Sequence, residues 1–294
     1  MAKETSIPWA HSTFNPWRGC AKISAGCAHC YAAVLARRHP GVLGVWGPHG
    51  TRVAASESQW AQPRAWDREA ARTGVRRRVF CASMADWLED WRGPMVGAPT
   101  MDAVRARLLD LIRETPHLDW LLLTKRPENF ASLVCRSLIA AADEQTIAWG
   151  LLWLGGEAPA NVWVLATVES QKVARARLEA LMSIPARVRG LSVEPLLGPV
   201  HLAEACPDWA TRLHWVIVGG ESGRGRTIRT CDVTWVRSVL SQCQATHMAC
   251  FVKQLGSRPC CDGQPLRLQH PRGEDPAEWP EDLRVREFPS GNRS

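Results

Sequence analysis

Only one tyrosine occurs among 294 residues, and only five of the 36 basic residues are lysines, so a formal net charge of +7 is carried almost wholly by arginine. No run approaches the roughly 18 apolar residues that a membrane span needs, and no apolar h-region follows the initial residues as it would in a secretory leader. The chain is therefore expected to be cytoplasmic, without a membrane partner. Low-complexity tracts and repeats of 20 to 50 residues are lacking too. Disulfides are not expected, because eleven cysteines is an odd number and nothing marks the chain for an oxidising compartment.

Three of those cysteines, Cys20, Cys27 and Cys30, form a C-x6-C-x2-C arrangement just ahead of a helical stretch. A fourth nearby cysteine is missing. Structural zinc and ordinary electron-transfer clusters are closed by four protein ligands, whereas three thiolates on a four-iron cluster leave one iron open to a substrate or cofactor. Gly19 precedes Cys20 and Gly26 precedes Cys27, where the backbone has to pass close to a cluster and its N–H groups can reach the sulfurs. A zinc site of the three cysteines with His11 or His29 is the competing reading. Cys243, Cys250, Cys260 and Cys261 offer a second metal site or ordinary buried thiols, and Cys81, Cys135, Cys206 and Cys231 read as structural.

Six short apolar runs, each ending in small or polar residues, begin at Val79, Trp120, Val162, Val188, Trp215 and Cys250. Segments of helical period separate them, among them 101–114, 172–182 and 232–243. Continuous apolar strands alternating with amphipathic helices predict an α/β fold with a parallel sheet of about six strands, a partial TIM-like (β/α) barrel. Parallel strands present their C-terminal ends together, so the polar residues there gather on one rim. Residues 39–78 read as an irregular inserted loop or lid. One barrel domain is expected over 1–256, followed by an extension over 257–294 whose polar tail is loosely ordered.

Phe14 to Cys20, Cys30 to Ala32, Leu122 to Pro127, Val162 to Glu169, Leu191 to Gly198 and Trp215 to Gly223 resemble, in matching order, the phage and bacterial three-cysteine-motif proteins, a family grouped with radical S-adenosylmethionine (SAM) enzymes. The resemblance implies a partial barrel of radical-SAM type with an N-terminal cysteine loop. It implies a [4Fe-4S] cluster on Cys20, Cys27 and Cys30 and SAM on the open iron. One electron, from a donor such as flavodoxin or ferredoxin, cleaves the sulfonium to methionine and a 5′-deoxyadenosyl radical that takes a hydrogen atom from substrate. For a phage-encoded chain the compartment is the host cytoplasm. The six-residue spacing between the first two cysteines departs from the commonest superfamily pattern of three, and the usual two glycines and a glutamate after the second strand are missing.

Candidate cofactor contacts are His29, beside the adenine, with Tyr31, Ser83, Asp86, Thr124, Lys125, Thr167, Glu169, Ser192, Glu194, Gly219 and Gly220; Glu221 and Lys253 are the candidate catalytic groups. Thr167 with Glu169, and Ser192 with Glu194, are two apart and share a strand face. Rim ion pairs with Lys125, Arg126 or Lys253 are the plainer use of the carboxylates. Arginine pairs bidentately with phosphate and stacks on bases, so Arg76, Arg77 and Arg78, or Arg224, Arg226 and Arg229, are places for a polyanion, or else solvated faces. Trp17, Trp46, Trp60, Trp66, Trp87 and Trp91 are stacking platforms or core. The expected substrate is a DNA or RNA base or a nucleotide derivative. The alternatives are a metal-stabilised nucleic-acid-binding protein without catalysis, and a radical SAM enzyme acting on a peptide or small metabolite.

Overall fold

A computed structural model describes residues 4–225 and 227–289; Arg226 and the tail 290–294 lie outside the described residues. The main sheet has seven strands: β1 Ser12–Phe14, β2 Arg77–Cys81, β3 Leu118–Thr124, β4 Val162–Thr167, β5 Val188–Val193, β6 Trp215–Gly219 and β7 Ala249–Gln254. They lie side by side in chain order, and the sheet is all parallel, with β1 and β7 at its edges. The α/β class and the parallel sheet agree with the sequence pattern. The seventh strand, β1, was not among the six runs because it is three residues long and reads Ser-Thr-Phe; it exists through pairing with β2, Ser12 opposite Val79.

Two compact units divide the chain within β4. The first comprises 1–23, 30–164 and 184–187 and holds β1 to β3 and Val162–Val164. Its longer helices are α1 Tyr31–Arg38, α2 Glu57–Thr73, α3 Met101–Glu114, α4 Phe130–Ile139 and α5 Glu144–Leu154. Six of the seven residues of β3 are buried, as in a strand covered on both faces. In α3 Leu108, Leu109, Leu111 and Ile112 are wholly buried, each contributing roughly 1.5–3 kcal/mol by leaving water. Thr100 caps that helix by accepting the Ala103 N–H at 3.1 Å.

The segment 39–78 is not irregular throughout. It contains α2, seventeen residues opened by a capping box in which Ser56 and Gln59 satisfy each other's backbone N–H groups. Its buried stripe is Trp60, Pro63, Trp66 and Ala70, narrow and interrupted by proline, which is why helical periodicity was weak in the sequence. Trp17, Trp60, Trp66 and Trp87 are all core residues. Of the six tryptophans weighed as stacking platforms, only Trp46 and Trp91 are partly exposed, and Arg52 already lies 3.8 Å over the Trp91 ring.

The second unit comprises 24–29, 165–183 and 188–294. It holds the end of β4, strands β5 to β7, and helices α6 Gln171–Met182 and α7 Val233–Ala245. Here β6 pairs in parallel with both β5 and β7. The extension is tied to β7: Arg286 bridges Phe251, the Leu255 N–H donates to Gly273 O at 2.9 Å, and Trp279 is buried. Among the described residues no helix is long and apolar enough to cross a membrane.

His11, beside β1, is removed as a metal ligand by its own bonds. Its Nδ1 accepts the Arg78 N–H at 2.9 Å and its Nε2 stands 3.3 Å from Arg78 Nη2. Burial first, and then the Arg78 and Arg77 charges, lower its pKa from 6.5 to about 4. The folded state resists a proton that the unfolded chain accepts below 6.5, so the stability gained from neutral His11 is full above 6.5 and is lost as pH falls towards 4. Urea unfolding followed across this window should show the midpoint fall with acidification, and less steeply in His11→Gln, which keeps an acceptor but does not titrate.

Candidate functional site

In the first unit, the loop after β1 carries Cys20 and Cys30 and is anchored by buried charges that follow β2 and β3. Asp86, 5% exposed, accepts from Thr124 Oγ1 at 2.6 Å and from the Leu88 N–H at 3.1 Å on one oxygen. Its other oxygen takes the Lys125 N–H and Arg126 Nη1, both at 2.9 Å. Four donors occupy the four lone-pair directions of a carboxylate. Asp86 and Thr124, expected as cofactor contacts, both accept from Arg126, and the Lys125 N–H helps to fix Asp86.

Arg126 Nη2 donates to the Ala21 carbonyl at 2.7 Å, and Nη1 lies 3.6 Å from the Cys20 sulfur. Glu89 accepts the Ala21 N–H at 2.8 Å and is gripped by both arms of Arg52, at 2.8 and 2.7 Å. Burial pushes the Cys20 thiol up to about 12, reinforced by the Glu89 and Asp86 charges and opposed by Arg126. Gly19 has φ +115°, and a Cβ there would stand 2.6 Å from Arg52 Cδ. Tyr31 donates to the Ser83 carbonyl at 2.6 Å, while Asn15 Nδ2 donates to Ser83 Oγ at 3.0 Å.

In the second unit the segment 24–29, with Cys27 and His29, is anchored by carboxylates after β4 and β6. Glu169, wholly buried, accepts the Gly26 N–H at 3.3 Å and Arg177 Nη1 at 2.6 Å. The same Nη1 donates to the Thr167 carbonyl at 2.8 Å. A Cβ on Gly26 would meet Glu169 Cγ at 3.0 Å. Glu221 Oε2 lies 3.0 Å from His29 Nδ1 and takes the Arg229 N–H at 2.8 Å; the Arg229 guanidinium pairs with the same carboxylate and donates to Ala25 O at 2.8 Å. Burial raises the Glu221 pKa, but the bonds from Arg229 and His29 outweigh it and bring it down to about 2. Glu221 is thus an ionised anchor for His29.

Further along the same rim, Lys253 Nζ stands 3.1 Å from Glu194 Oε1, and Gly219 leaves the space beside that oxygen, where a Cβ would approach to 2.8 Å. Glu194 Oε1 has the lysine charge as its neighbour but no bond of hydrogen-bonding geometry among the described residues, and neither has the buried Gln254 Oε1. Ser192 and Thr167 are buried. The sequence reading missed Arg52, Glu89, Arg177 and Gln254 as groups around the candidate residues; it did name Arg126 and Lys253 as ion-pair partners for rim carboxylates, and they pair with Asp86 and Glu194. Strand ends pointed to the rim, but nothing local in the sequence pairs Arg52 with Glu89, 37 residues apart.

The candidate polyanion contacts are largely committed internally: Arg76 to Asp119, Arg77 to Ser12 and Glu69, Arg78 to Trp9 O, and Arg229 to Glu221. The four cysteines of the candidate second metal site separate into two groups. Cys250 on β7 touches Cys243 on α7, and that contact and burial hold its thiol well above the usual range. Cys260 lies 3.7 Å from Asp232 Oδ2, and Cys261 3.6 Å from Arg237 Nη1. Cys135, expected to be structural, is exposed.

All eleven cysteines are free thiols, and Cys20, Cys27 and Cys30 are each partly exposed. Among the described residues no three His, Cys, Asp or Glu side chains are grouped so as to hold a metal ion. Thiolate is the donor that iron-sulfur clusters take, and an arginine N–H is directed at the sulfur of Cys20, but the three thiols are not gathered as a metal site. A cavity of about 690 Å³ in the first unit is lined by Arg18, Ser56, Glu57, Gln59 and Gly97, among others, and by none of the candidate cofactor contacts.

One family profile aligns with residues 4–269, from ahead of β1 to beyond β7. The chain belongs to the family of proteins of unknown function DUF5131. The DUF5131 match covers the cysteine loop and all seven strand ends. No curated protein and no solved structure matches the chain.

Removing Arg177 tests the anchoring. In Arg177→Met the Glu169 carboxylate loses its guanidinium within a wholly buried position, which should cost roughly 3 kcal/mol in urea unfolding. The double variant Arg177→Met, Glu169→Gln should recover part of that loss. A cost below about 1 kcal/mol would mean that other donors hold the carboxylate.

Proposed function

We propose that this DUF5131 protein is a radical SAM enzyme with a partial barrel of that type, acting in the cytoplasm on a nucleic acid base or nucleotide-derived substrate. One observation carries the reading: the loop from Cys20 to Cys30, with little secondary structure of its own, takes Glu89, Arg126, Glu169, Glu221 and Arg229 as partners of its backbone and of His29. Plain connections do not collect buried charge in this way, whereas ligand loops need such an outer layer to fix them. Cys20, Cys27 and Cys30 would hold a [4Fe-4S] cluster, and a thiol trio leaves one iron for SAM. Once bound, the cluster would supply one electron, received from a flavodoxin- or ferredoxin-type donor, for reductive cleavage of the sulfonium.

The chain's own groups then have defined tasks. Glu221 fixes the His29 ring through Nδ1, and Tyr31, 57% exposed with its hydroxyl bound to Ser83 O, presents a ring face suited to stacking on a base. Glu194, with Lys253 beside it, offers an acceptor to an ammonium or a pair of ribose hydroxyls. The arginine-rich composition favours a phosphate-bearing substrate.

A second reading, a zinc-stabilised nucleic-acid-binding protein, is favoured by the same His29–Glu221 bond, because a carboxylate on Nδ1 is the usual partner of a metal-ligating histidine. Metal analysis separates the two. Protein reconstituted anaerobically with iron and sulfide should be brown, and with SAM and dithionite should release 5′-deoxyadenosine; Cys27→Ala should lose both properties. Colourless protein holding stoichiometric zinc would replace the first reading by the second. Glu194→Gln should slow SAM cleavage while leaving the cluster absorption intact, and unchanged turnover would remove Glu194 from the site. Stimulation of cleavage by DNA, RNA or free nucleotides, and its loss in high salt, identifies the substrate class.

A further inference from the structure

Between Glu4 and Glu57 the sequence holds no aspartate or glutamate, although Arg18, Lys22, Arg37, Arg38 and Arg52 lie in that stretch with His11, His29, His39 and His49. In the first unit its exposed part is helix α1 and the turn after it. Tyr31, Leu35 and Arg38, spaced i, i+4 and i+7, form one exposed stripe of α1, while Ala32 and Ala36 are buried. Arg37 and His39 flank the stripe, and the single helical turn Pro40–Leu43 and the residues beyond it add exposed Val42, Val45 and His49. Arg64, Arg92 and Arg107 of the same unit each pair with a carboxylate, whereas Arg37 and Arg38 pair with none among the described residues. Glu89, the partner of Arg52, is buried. A helix C-terminus favours cations in its last turn, but it explains neither the exposed tyrosine and leucine beside them nor the missing carboxylates.

We propose that this face of the first unit, α1 and the turn after it, binds single-stranded nucleic acid, with a base stacked on Tyr31 and phosphates at Arg37 and Arg38. The inference deepens the nucleic-acid part of the reading above, on which it rests, and is independent of what Cys20, Cys27 and Cys30 hold. Strand binding combines a positive track for the backbone with aromatic rings on which bases stack. Bases inside a duplex are already stacked on each other, so only a single strand can use the Tyr31 ring. That ring is held by its hydroxyl, which donates to Ser83 O at 2.6 Å. Tyr31 and Arg38 are about 10 Å apart along the helix axis, seven rises of about 1.5 Å, so a strand laid along α1 meets the ring and then the cations. An anionic membrane fits less well. A helix lying in that interface carries its charges opposite its apolar face, and here Arg38 shares a stripe with Tyr31 and Leu35.

The test is fluorescence anisotropy of the full chain with a labelled mixed-sequence single strand, as DNA and as RNA, over a range of salt. Loss of two phosphate contacts in the double variant Arg37→Gln, Arg38→Gln should weaken binding roughly 25-fold at about 0.1 M salt and lower the salt slope by about 1.4, about 0.7 for each contact. Tyr31→Leu should weaken it by about fivefold or more at unchanged slope, since stacking releases no counterions. The control Arg68→Gln, Arg72→Gln, which removes the same charge from exposed sites on α2, should bind as the wild type does. Equal losses in the two double variants mean diffuse attraction to net charge and overturn the inference. Displacement of the strand by polyglutamate as readily as by unlabelled strand, or tighter binding of phosphatidylglycerol vesicles than of strand, overturns it too. Wild-type affinity in Arg37→Gln, Arg38→Gln, or binding of duplex but not of single strand, overturns it and leaves the nucleic-acid reading standing. Wild-type protein that binds neither strand nor duplex brings down that reading, and this inference with it.

Discussion

Buried pairing of arginine with carboxylate is the interaction on which the rest of this structure depends. Arg52 with Glu89, Arg126 with Asp86, Arg177 with Glu169 and Arg229 with Glu221 each place a charge where water is scarce. Such pairs are weak contributors to net stability, since desolvation offsets most of their attraction, yet removing one partner is expensive. Their value is in direction. Each pair turns a spare N–H or oxygen towards the loop between β1 and α1, adding to the loop's own few backbone bonds.

The parallel sheet explains why those charges stand where they do. Every strand from β1 to β7 ends in the same direction, so the residues just past the strand ends are the ones free to be polar, while the strands between are largely buried and apolar. Within each compact unit the anchors come from this position: Asp86 and Arg126 after β2 and β3, Glu169 and Glu221 after β4 and β6. The scaffold fixes the places, and the choice of arginine over lysine supplies forked donors able to serve two or three acceptors at once.

Strands with long apolar runs, and helices such as α3, α6 and α7 with clear periodicity, were legible in the sequence because burial on both faces, or on one stripe, leaves a pattern within a few residues. Strand β1 and helix α2 were not. The first is held by a neighbour 67 residues away, and the second hides its stripe behind Pro63 and polar residues. Likewise the candidate carboxylates were found from their places at strand ends, and Lys253 was foreseen as an ion-pair partner that Glu194 does take, but the partners of Glu169 and Glu221 were not. Asp86 and Glu221 look like ligand groups in one dimension; only three-dimensional pairing reveals that their lone pairs are filled by Arg126 and by His29 with Arg229.

Gly19 and Gly26 impose a further condition on this molecule's descent. A methyl group at 19 would strike the Arg52 side chain at 2.6 Å, and one at 26 would press the Glu169 side chain at 3.0 Å. Position 19 refuses a side chain whatever stands at 52, since its φ is +115° and the Thr51 carbonyl would stand 2.8 Å from the added carbon, while position 26 admits one only if the Glu169 side chain yields by a few tenths of an ångström. Backbone and buried charge thus hold the loop's shape together, whatever chemistry its thiols perform.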